Sequence, residues 1–487
     1  MNDWSAAPGY WLSTVVFQRA LAAVYLVAFV AAARQFRPLL GAHGMQPIPA
    51  FVRAVPFARA PSLFHLRYSD RLFAAVAWTG VAVSGALVLG ASEVLPAWGC
   101  LLVWVVPWAL YLSIVNVGQT WYGFGWETLL LEAGFLAIFL GPAEDGPPTL
   151  VLLLMRWLLF RVEFGAGLIK LRGDPCWRDL TCLRYHHETQ PMPGPFSWWF
   201  HHLPMPLHRA EVLANHVTQL VVPFALFLPQ PVAGIAAGVM IVTQLWLMAS
   251  GNFSWLNAIT IVLALPVLGD GVWRAVLPFE PGALASPAPW HEVLVVALAA
   301  ALVILSVRPV RNLLSPQQRM NTTYDPLRLV NSYGAFGSIT RVRHEIVLEG
   351  TDDPSPGPAT VWRAYECKGK PGDVHRRPPQ VAPYHLRLDW LLWFAALSPA
   401  YAEGWFGKLV ERLLANDPDT LRLLRTNPFP STPPTYVRAL LYEYRFTTRD
   451  ERRATGAWWH RELVGTYLPP VRVRSDGSSL ASSTAVR

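Results

Sequence analysis

Met155-Arg156-Trp157-Leu158-Leu159-Phe160-Arg161-Val162-Glu163-Phe164-Gly165-Ala166-Gly167-Leu168-Ile169-Lys170 reads as one long apolar helix interrupted by charge. Arg156, Glu163 and Lys170 are spaced by seven. Seven residues fall within about 20° of two helical turns, so the three charges share one stripe, in the order plus, minus, plus. At mid-membrane each charge costs on the order of 3 kcal/mol, and three or four facing lipid would cost roughly 10 kcal/mol. Such a stripe has to turn into a helix bundle or a wet cavity and find partners there. The neighbouring apolar segments offer Asn116 and Gln119, Glu127 and Glu132, and Asn215, His216 and Gln219. The expectation is one intramembrane polar network of Arg156, Glu163, Lys170, Glu127, Glu132, Asn215 and His216. It would act either as a packing device or as a substrate site or proton relay.

The composition extends this reading to the whole chain. Of 487 residues, 53% are hydrophobic and only 15% charged, against about 25% charged in a soluble domain. This excludes an ordinary soluble enzyme, a disordered chain and a disulfide-rich secreted scaffold. A span needs about 20 apolar residues, and segments near 11–33, 72–91, 97–116, 122–141, 149–171, 212–229, 232–250, 253–268 and 290–307 qualify. The expected fold is an α-helical polytopic membrane protein of about nine apolar spans over residues 1–310, with 253–268 short enough to be re-entrant. The first span has Asp3 and no Lys or Arg before it, unlike a removable signal peptide. The net charge of +8 is carried almost wholly by arginine. These arginines flank the spans, which points to the positive-inside rule and not to nucleic acid. With nine spans the basic stretches 34–71, 172–211 and 308–319 all fall on one side, which the rule makes cytoplasmic. The bias to Ala, Gly, Pro and Arg suggests a GC-rich, bacterial gene.

After residue 310 charges and prolines rise. Strands are expected at 340–349, 360–368 and 436–447, and short helices at 389–397 and 405–414. Together they would form a soluble, mixed, strand-rich domain over 311–471, followed by a disordered tail, 472–487. The polar loop 172–211 between spans is rich in aromatics, prolines and histidines. His186, His187, Glu188, His201 and His202 fit no zinc spacing, and no metal or other cofactor is expected. Cys176 and Cys182 either bridge, if the loop folds back in an oxidising compartment, or remain two buried thiols in a reducing one. No phosphate-binding glycine loop, nucleophile elbow or His-Glu-x-x-His is present, so no spacing names a reaction.

Gly165-Ala166-Gly167-Leu168-Ile169-Lys170-Leu171-Arg172-Gly173-Asp174, Cys176-Trp177-Arg178-Asp179-Leu180-Thr181-Cys182, His187-Glu188-Thr189-Gln190-Pro191-Met192-Pro193 and Asn215-His216 carry a resemblance. So do Asn331-Ser332-Tyr333-Gly334-Ala335-Phe336, the string from Arg387 to Leu397, Pro433-Pro434-Thr435-Tyr436-Val437-Arg438-Ala439 and Trp458-Trp459-His460-Arg461. Over nearly its whole length the chain resembles the lipase maturation factor family of membrane proteins. The resemblance implies a chaperone-like, non-catalytic role in folding and assembling secreted lipases or other exported clients. The membrane would be that of the endoplasmic reticulum, as for eukaryotic relatives, or the inner membrane of a bacterium. It also implies a lumenal C-terminal domain that carries the client contact, which opposes the cytoplasmic placement from charge and favours a Cys176–Cys182 disulfide. Arg178, Asp179, His187, Glu188 and Gln190 are the candidate functional loop residues, and Trp390, Trp393, Tyr436 and Arg438 the candidate client-binding ones. A distant similarity to the vitamin K-dependent carboxylase group gives the alternative, a membrane-embedded enzyme with Lys170 or Glu163 as base. Beyond the lipid bilayer and such a client, no partner is expected.

Overall fold

The computed structural model describes residues 6–277, 282, 284–473 and 480–482. Nine helices run alternately up and down: α1 (Trp11–Leu40), α2 (Asp70–Val88), α3 (Ala97–Val117), α4 (Gly125–Ala137), α5 (Thr149–Arg172), α6 (Met205–Leu220), α7 (Val232–Ser250), α8 (Leu256–Ala264) and α9 (Pro289–Leu305). Among the described residues, six helical segments are long and apolar enough to cross a membrane: Pro8–Leu40, Asp70–Val88, Ala97–Val117, Met205–Phe227, Val232–Ser250 and Pro289–Leu314. The expected count of about nine is therefore not met. α4 has 13 residues, about 20 Å of helix, too little for a hydrocarbon core of about 30 Å. The apolar segment Leu256–Val267 is similarly short. α5, with 24 residues, has the length but carries Arg156, Arg161, Glu163 and Lys170.

The alternation sorts the connections. At one end of the bundle, Trp11 Nε1 donates to Ala143 O at 2.6 Å, and Ser13 N to Asp270 Oδ1 at 3.1 Å. At the other end, Gln35 Nε2 donates to His385 O at 2.7 Å, Trp393 Nε1 to Thr189 O at 3.2 Å and Arg308 Nη1 to Tyr324 O at 3.0 Å. The basic connections 34–71, 172–211 and 308–319 thus lie at the end that carries the C-terminal domain.

That domain is built on an antiparallel sheet: β1 (Arg343–Thr351), β2 (Arg363–Ala364), β3 (Tyr436–Phe446), β4 (Trp459–Val473) and β5 (Leu480–Ser482), in the order β2-β1-β3-β4-β5. Helices α10 (Arg387–Leu397) and α11 (Phe406–Leu414) cover it. Both helices and the strands β1 and β3 stand close to where the sequence places them. The strand expected at 360–368 shrinks to Arg363–Ala364, and β4, the longest strand, was not foreseen. Of the tail expected to be disordered, Arg472 and Val473 pair with Ala481 and Leu480; 474–479 and 483–487 lie outside the described residues. The domain does not stand apart from the bundle, because one continuous apolar core runs from Phe17 and Leu158 to Leu391, Leu409 and Val437.

α4 is almost wholly buried among the other helices. A Cβ at Gly134 would overlap the Tyr25 hydroxyl, so only glycine lets α1 approach closely enough for Tyr25 Oη to donate to Leu130 O at 3.0 Å. α4 also buries two carboxylates, Glu127 (0% exposed) and Glu132 (2%). Glu127 receives Arg387 Nη1 at 2.8 Å and the Tyr111 hydroxyl, and the Arg387 guanidinium lies 3.4 Å from the Tyr122 ring centroid. Glu132 pairs with Arg161 and accepts the Asn331 N–H at 3.1 Å and the Tyr333 hydroxyl at 2.7 Å. The Glu127–Arg387 pair therefore binds the C-terminal portion to the bundle directly, and the Glu132–Arg161 pair does so through Asn331 and Tyr333. Replacing one partner strands the other charge, at a cost of about 3–5 kcal/mol. Arg387→Met is expected to lower the unfolding midpoint of the detergent-solubilised chain sharply. Glu127→Met/Arg387→Met, which removes both charges, should recover most of that loss.

Candidate functional site

The groups expected to form one network do not stay together. Arg156 lies at the far end of α5, donating to Leu226 O and Tyr10 Oη, both at 3.1 Å; fourteen residues of helix put it about 21 Å from Lys170. Glu127 and Glu132 face Arg387 and Arg161 as described, and Arg161 is a charge the seven-residue spacing passes over. His216 bonds Trp177 O at 2.9 Å and does not join the α5 charges. What remains is Glu163 with Lys170, 1% and 5% exposed. They are not in direct contact. Lys170 Nζ donates to Asn215 Oδ1 and Gln219 Oε1, both at 2.8 Å. Gln219 Nε2 donates to Glu163 Oε2 at 3.1 Å, and Gln244 Nε2 to Glu163 Oε1 at 2.8 Å. Asn257 Nδ2 in turn donates to Gln244 Oε1 at 2.7 Å.

This is an amide relay between opposite charges. Two turns of α5 hold the charges about 10.5 Å apart along the axis, so an amide with its oxygen to the ammonium and its nitrogen to the carboxylate closes the gap. The Lys170 ammonium also lies 5.0 Å from the Trp177 ring centroid, a cation–π contact. Every charge is satisfied, so burial is affordable only as a connected set. The alternative of an enzyme with Glu163 or Lys170 as base finds no support: each already holds two side-chain partners. Gly165 permits the neighbouring chain to close over this face, since a Cβ there would stand 2.5 Å from Tyr333 O.

The relay forms one wall of a cavity of about 920 Å³ between α5, α6, α7, the 172–211 segment, the Tyr333–Thr340 stretch and α10. Most of the other lining is apolar and aromatic, including Trp126, Phe253, Phe336 and Trp390. Tyr401 (52% exposed) and Leu397 (37%) stand at its rim.

The loop residues have divided fates. Cys176 and Cys182 are disulfide-bonded; their Cα atoms are 4.8 Å apart, within the range a bridge requires. Cys100 and Cys367 are free and buried. Arg178 and Asp179 are exposed. Gln190 is a buried strut, its Nε2 donating to His187 O, Ser197 Oγ and Ser250 O at 2.9–3.0 Å. Glu188 accepts the Phe446 N–H at 2.5 Å, and burial pushes its carboxyl up to about 7. His187 is 2% exposed and lines the cavity.

Of the client-binding candidates, Trp390 and Tyr436 are 3% and 6% exposed. They belong to the core: Trp390 packs edge-on against Trp126 at 4.9 Å. Arg438 pairs with Glu349 at 2.7 Å. Trp393 is half-buried on the cavity wall. The sequence reading missed Arg161, Gln244, Asn257, Arg387, Asn252 and Arg343. Asn252, fully buried, accepts the N–H groups of Val381 and Ala382 at 2.8 Å and donates to Pro379 O at 2.9 Å. Arg343 donates to the carbonyls of Glu188 and Pro191 at 3.0 Å, and to that of Gln190. At His385, burial and then the adjacent Arg387 guanidinium hold the imidazole down at about 4. It is therefore neutral, and Arg387 is the cation opposite Glu127.

Six membrane-length apolar helices under a strand-containing domain define an integral membrane protein. Residues 12–275 match the lipase maturation factor transmembrane domain, and residues 329–469 the lipase maturation factor C-terminal domain. The chain belongs to the lipase maturation factor family. It is 42% identical over 500 residues to lipase maturation factor 1 of Bos taurus, covering 95% of this chain and 89% of that protein. Against lipase maturation factor 1 of Homo sapiens it is 42% identical over 499 residues, covering 95% and 88%. Lipase maturation factor 2 of Homo sapiens is 29% identical over 594 aligned residues, covering 95% and 83%. No solved structure matches the chain.

The disulfide gives a direct check. Denatured without reductant, the chain is expected to take a maleimide–polyethylene glycol label on two of its four cysteines, and on all four after reduction. Four adducts without reductant would show that Cys176 and Cys182 are thiols.

Proposed function

We propose that this chain is a membrane-embedded maturation factor that assists the folding and assembly of a secreted lipase or another exported client. Its C-terminal domain would work on the oxidising side of the membrane: the endoplasmic reticulum lumen in a eukaryotic cell, the periplasmic face of the inner membrane in a bacterium. The observation that carries the role is the 42% identity over 95% of the chain to proteins named lipase maturation factor 1. Placement on the oxidising side rests on the Cys176–Cys182 bridge, which lies in the segment packed against the C-terminal domain. The basic residues at that end favour the opposite placement. Charge bias sets a preference for orientation, whereas a stable disulfide requires an oxidising compartment, and the proposal follows the disulfide.

The client contact is assigned to the cavity rim, where Trp393, Phe394, Leu397 and Tyr401 present apolar surface beside a cavity of about 920 Å³. Aromatic residues in such positions carry a disproportionate share of binding energy. Arg178 and Asp179, exposed beside the disulfide, would offer the same client a separate polar contact.

The test is co-expression with a secreted lipase in cells lacking the endogenous factor. Active lipase should appear with the wild-type chain and be lost without it, at unchanged lipase protein. Trp393→Ala/Tyr401→Ala should lower lipase activity about tenfold, the effect of ~1.4 kcal/mol of lost contact, with normal abundance of the membrane protein. Full lipase activity in the absence of the chain would overturn the role, and full activity with the double variant would overturn the rim assignment.

A further inference from the structure

We propose that His187, His208 and Glu211 form a binding site for a divalent first-row transition-metal ion, zinc foremost. His187 comes from the short helix Leu183–Thr189, and His208 and Glu211 from the first two turns of α6. Spaced three apart, the latter two share a helix face. One donor atom from each of the three residues lies within 4.8 Å of the other two.

The site is built and polar, not a chance grouping at the surface. His187 and His208 are each 2% exposed. Both ring nitrogens of His187, Nδ1 of His208 and Oε2 of Glu211 are buried without a hydrogen-bond partner. Stranded polar groups of this kind are rare and costly. One cation would answer three of these atoms at once: one ring nitrogen of His187, Nδ1 of His208 and Oε2 of Glu211.

The surrounding bonds orient the ligands. Glu211 Oε1 accepts the Trp246 indole N–H at 3.1 Å, which leaves Oε2 free. His208 Nε2 lies 3.3 Å from His201 O. A carbonyl there fixes the tautomer with the proton on Nε2, and the lone pair of Nδ1 then faces Glu211 Oε2 at 3.4 Å. Two acceptors at that separation repel unless a cation or a proton sits between them. Ligand atoms around tetrahedral zinc, bonded at 2.0–2.1 Å, stand about 3.3 Å apart. An indole on the carboxylate and a backbone carbonyl on the imidazole are the supports that metal ligands ordinarily have. Two imidazoles and a carboxylate, without thiolate, suit zinc and its first-row neighbours and not calcium or magnesium.

His187 and Glu211 both line the cavity of about 920 Å³. Three protein ligands leave a coordination position for water, or for an oxygen ligand arriving through that cavity. The sequence pattern gave no sign of this, because the ligands come from two helices and only His208-Arg209-Ala210-Glu211 shows a helical spacing.

The test uses the full chain in detergent, free of a histidine tag. It is stripped with a chelator, given one equivalent of Zn²⁺, desalted and measured for metal by mass spectrometry. The wild-type chain should retain about one zinc per polypeptide, and His187→Ala/His208→Ala less than a tenth of that. Glu211→Gln should weaken zinc binding at least tenfold, while His201→Ala, which keeps the backbone carbonyl, should leave it unchanged. Should the double variant misfold, Co²⁺ added to the stripped wild-type chain decides. The visible ligand-field bands of a nitrogen and oxygen site, with no thiolate charge-transfer band, would support the proposal. A wild-type chain that retains none of Zn²⁺, Co²⁺, Mn²⁺, Fe²⁺ or Ni²⁺, or a folded double variant that retains as much as wild type, would overturn it and assign the His208–Glu211 contact to a shared proton. No lipase enters these measurements, so their outcome is independent of the maturation role.

Discussion

A carboxylate cannot remain ionised in an apolar interior without a cation close by, and α4 buries two of them. The architecture follows from how they are answered. Arg161 reaches Glu132 from the adjacent α5, while Arg387 reaches Glu127 from the far side of the chain. Asn331 and Tyr333 add their donors to Glu132 from the segment that leads into the sheet. A 13-residue helix too short to span a bilayer is thereby the post to which the C-terminal domain is tied. Because these bonds are desolvated, neither domain can be lifted off without exposing an unpaired charge.

This explains how much of the fold was legible in the sequence. Apolar runs marked the helices well, since α1, α2, α3 and α7 each carry a hydrophobic stretch of membrane-spanning length. The same signal overcounted the spans. Leu129, Leu130 and Leu131 are buried by protein on all sides, and a protein-buried helix has the same composition as a lipid-facing one. β4 went unseen for the opposite reason. Its residues from Arg461 to Val464 are exposed, so no alternation of inside and outside was left for a period-two pattern to show.

Site residues were legible as types and not as partners. The stripe on α5 demanded a buried environment, and Glu163 and Lys170 are 1% and 5% exposed. It could not say that Gln219 and Gln244 would complete it, because glutamine in an apolar run carries no sign of what it faces. Arg387 sits in Arg387-Leu388-Asp389-Trp390, a string that reads as the start of an ordinary amphipathic helix. Only the meeting of the first turn of α10 with the first turn of α4 turns it into a counter-ion. The aromatic residues of the same helix mislead in a related way. Trp390 looks like recognition surface until the bundle is placed beneath it; both tryptophans line the cavity, but Trp390 is buried and only Trp393, one helical turn on, stays partly exposed.

The cavity is best understood as the consequence of three clamps that fix its walls independently. Arg343 holds the carbonyls of Glu188 and Pro191. Asn252 holds the 379–382 segment, and the Gln219 amide holds α5 to α6. Each clamp ties two elements of the wall together through buried hydrogen bonds, which opposes inward relaxation of the walls. Close packing is the default of protein interiors, and an apolar volume of this size persists only when something prevents collapse. Here the polar groups that prevent it lie at the junction of bundle and domain. The space therefore lies where bundle and domain meet, walled by elements of both.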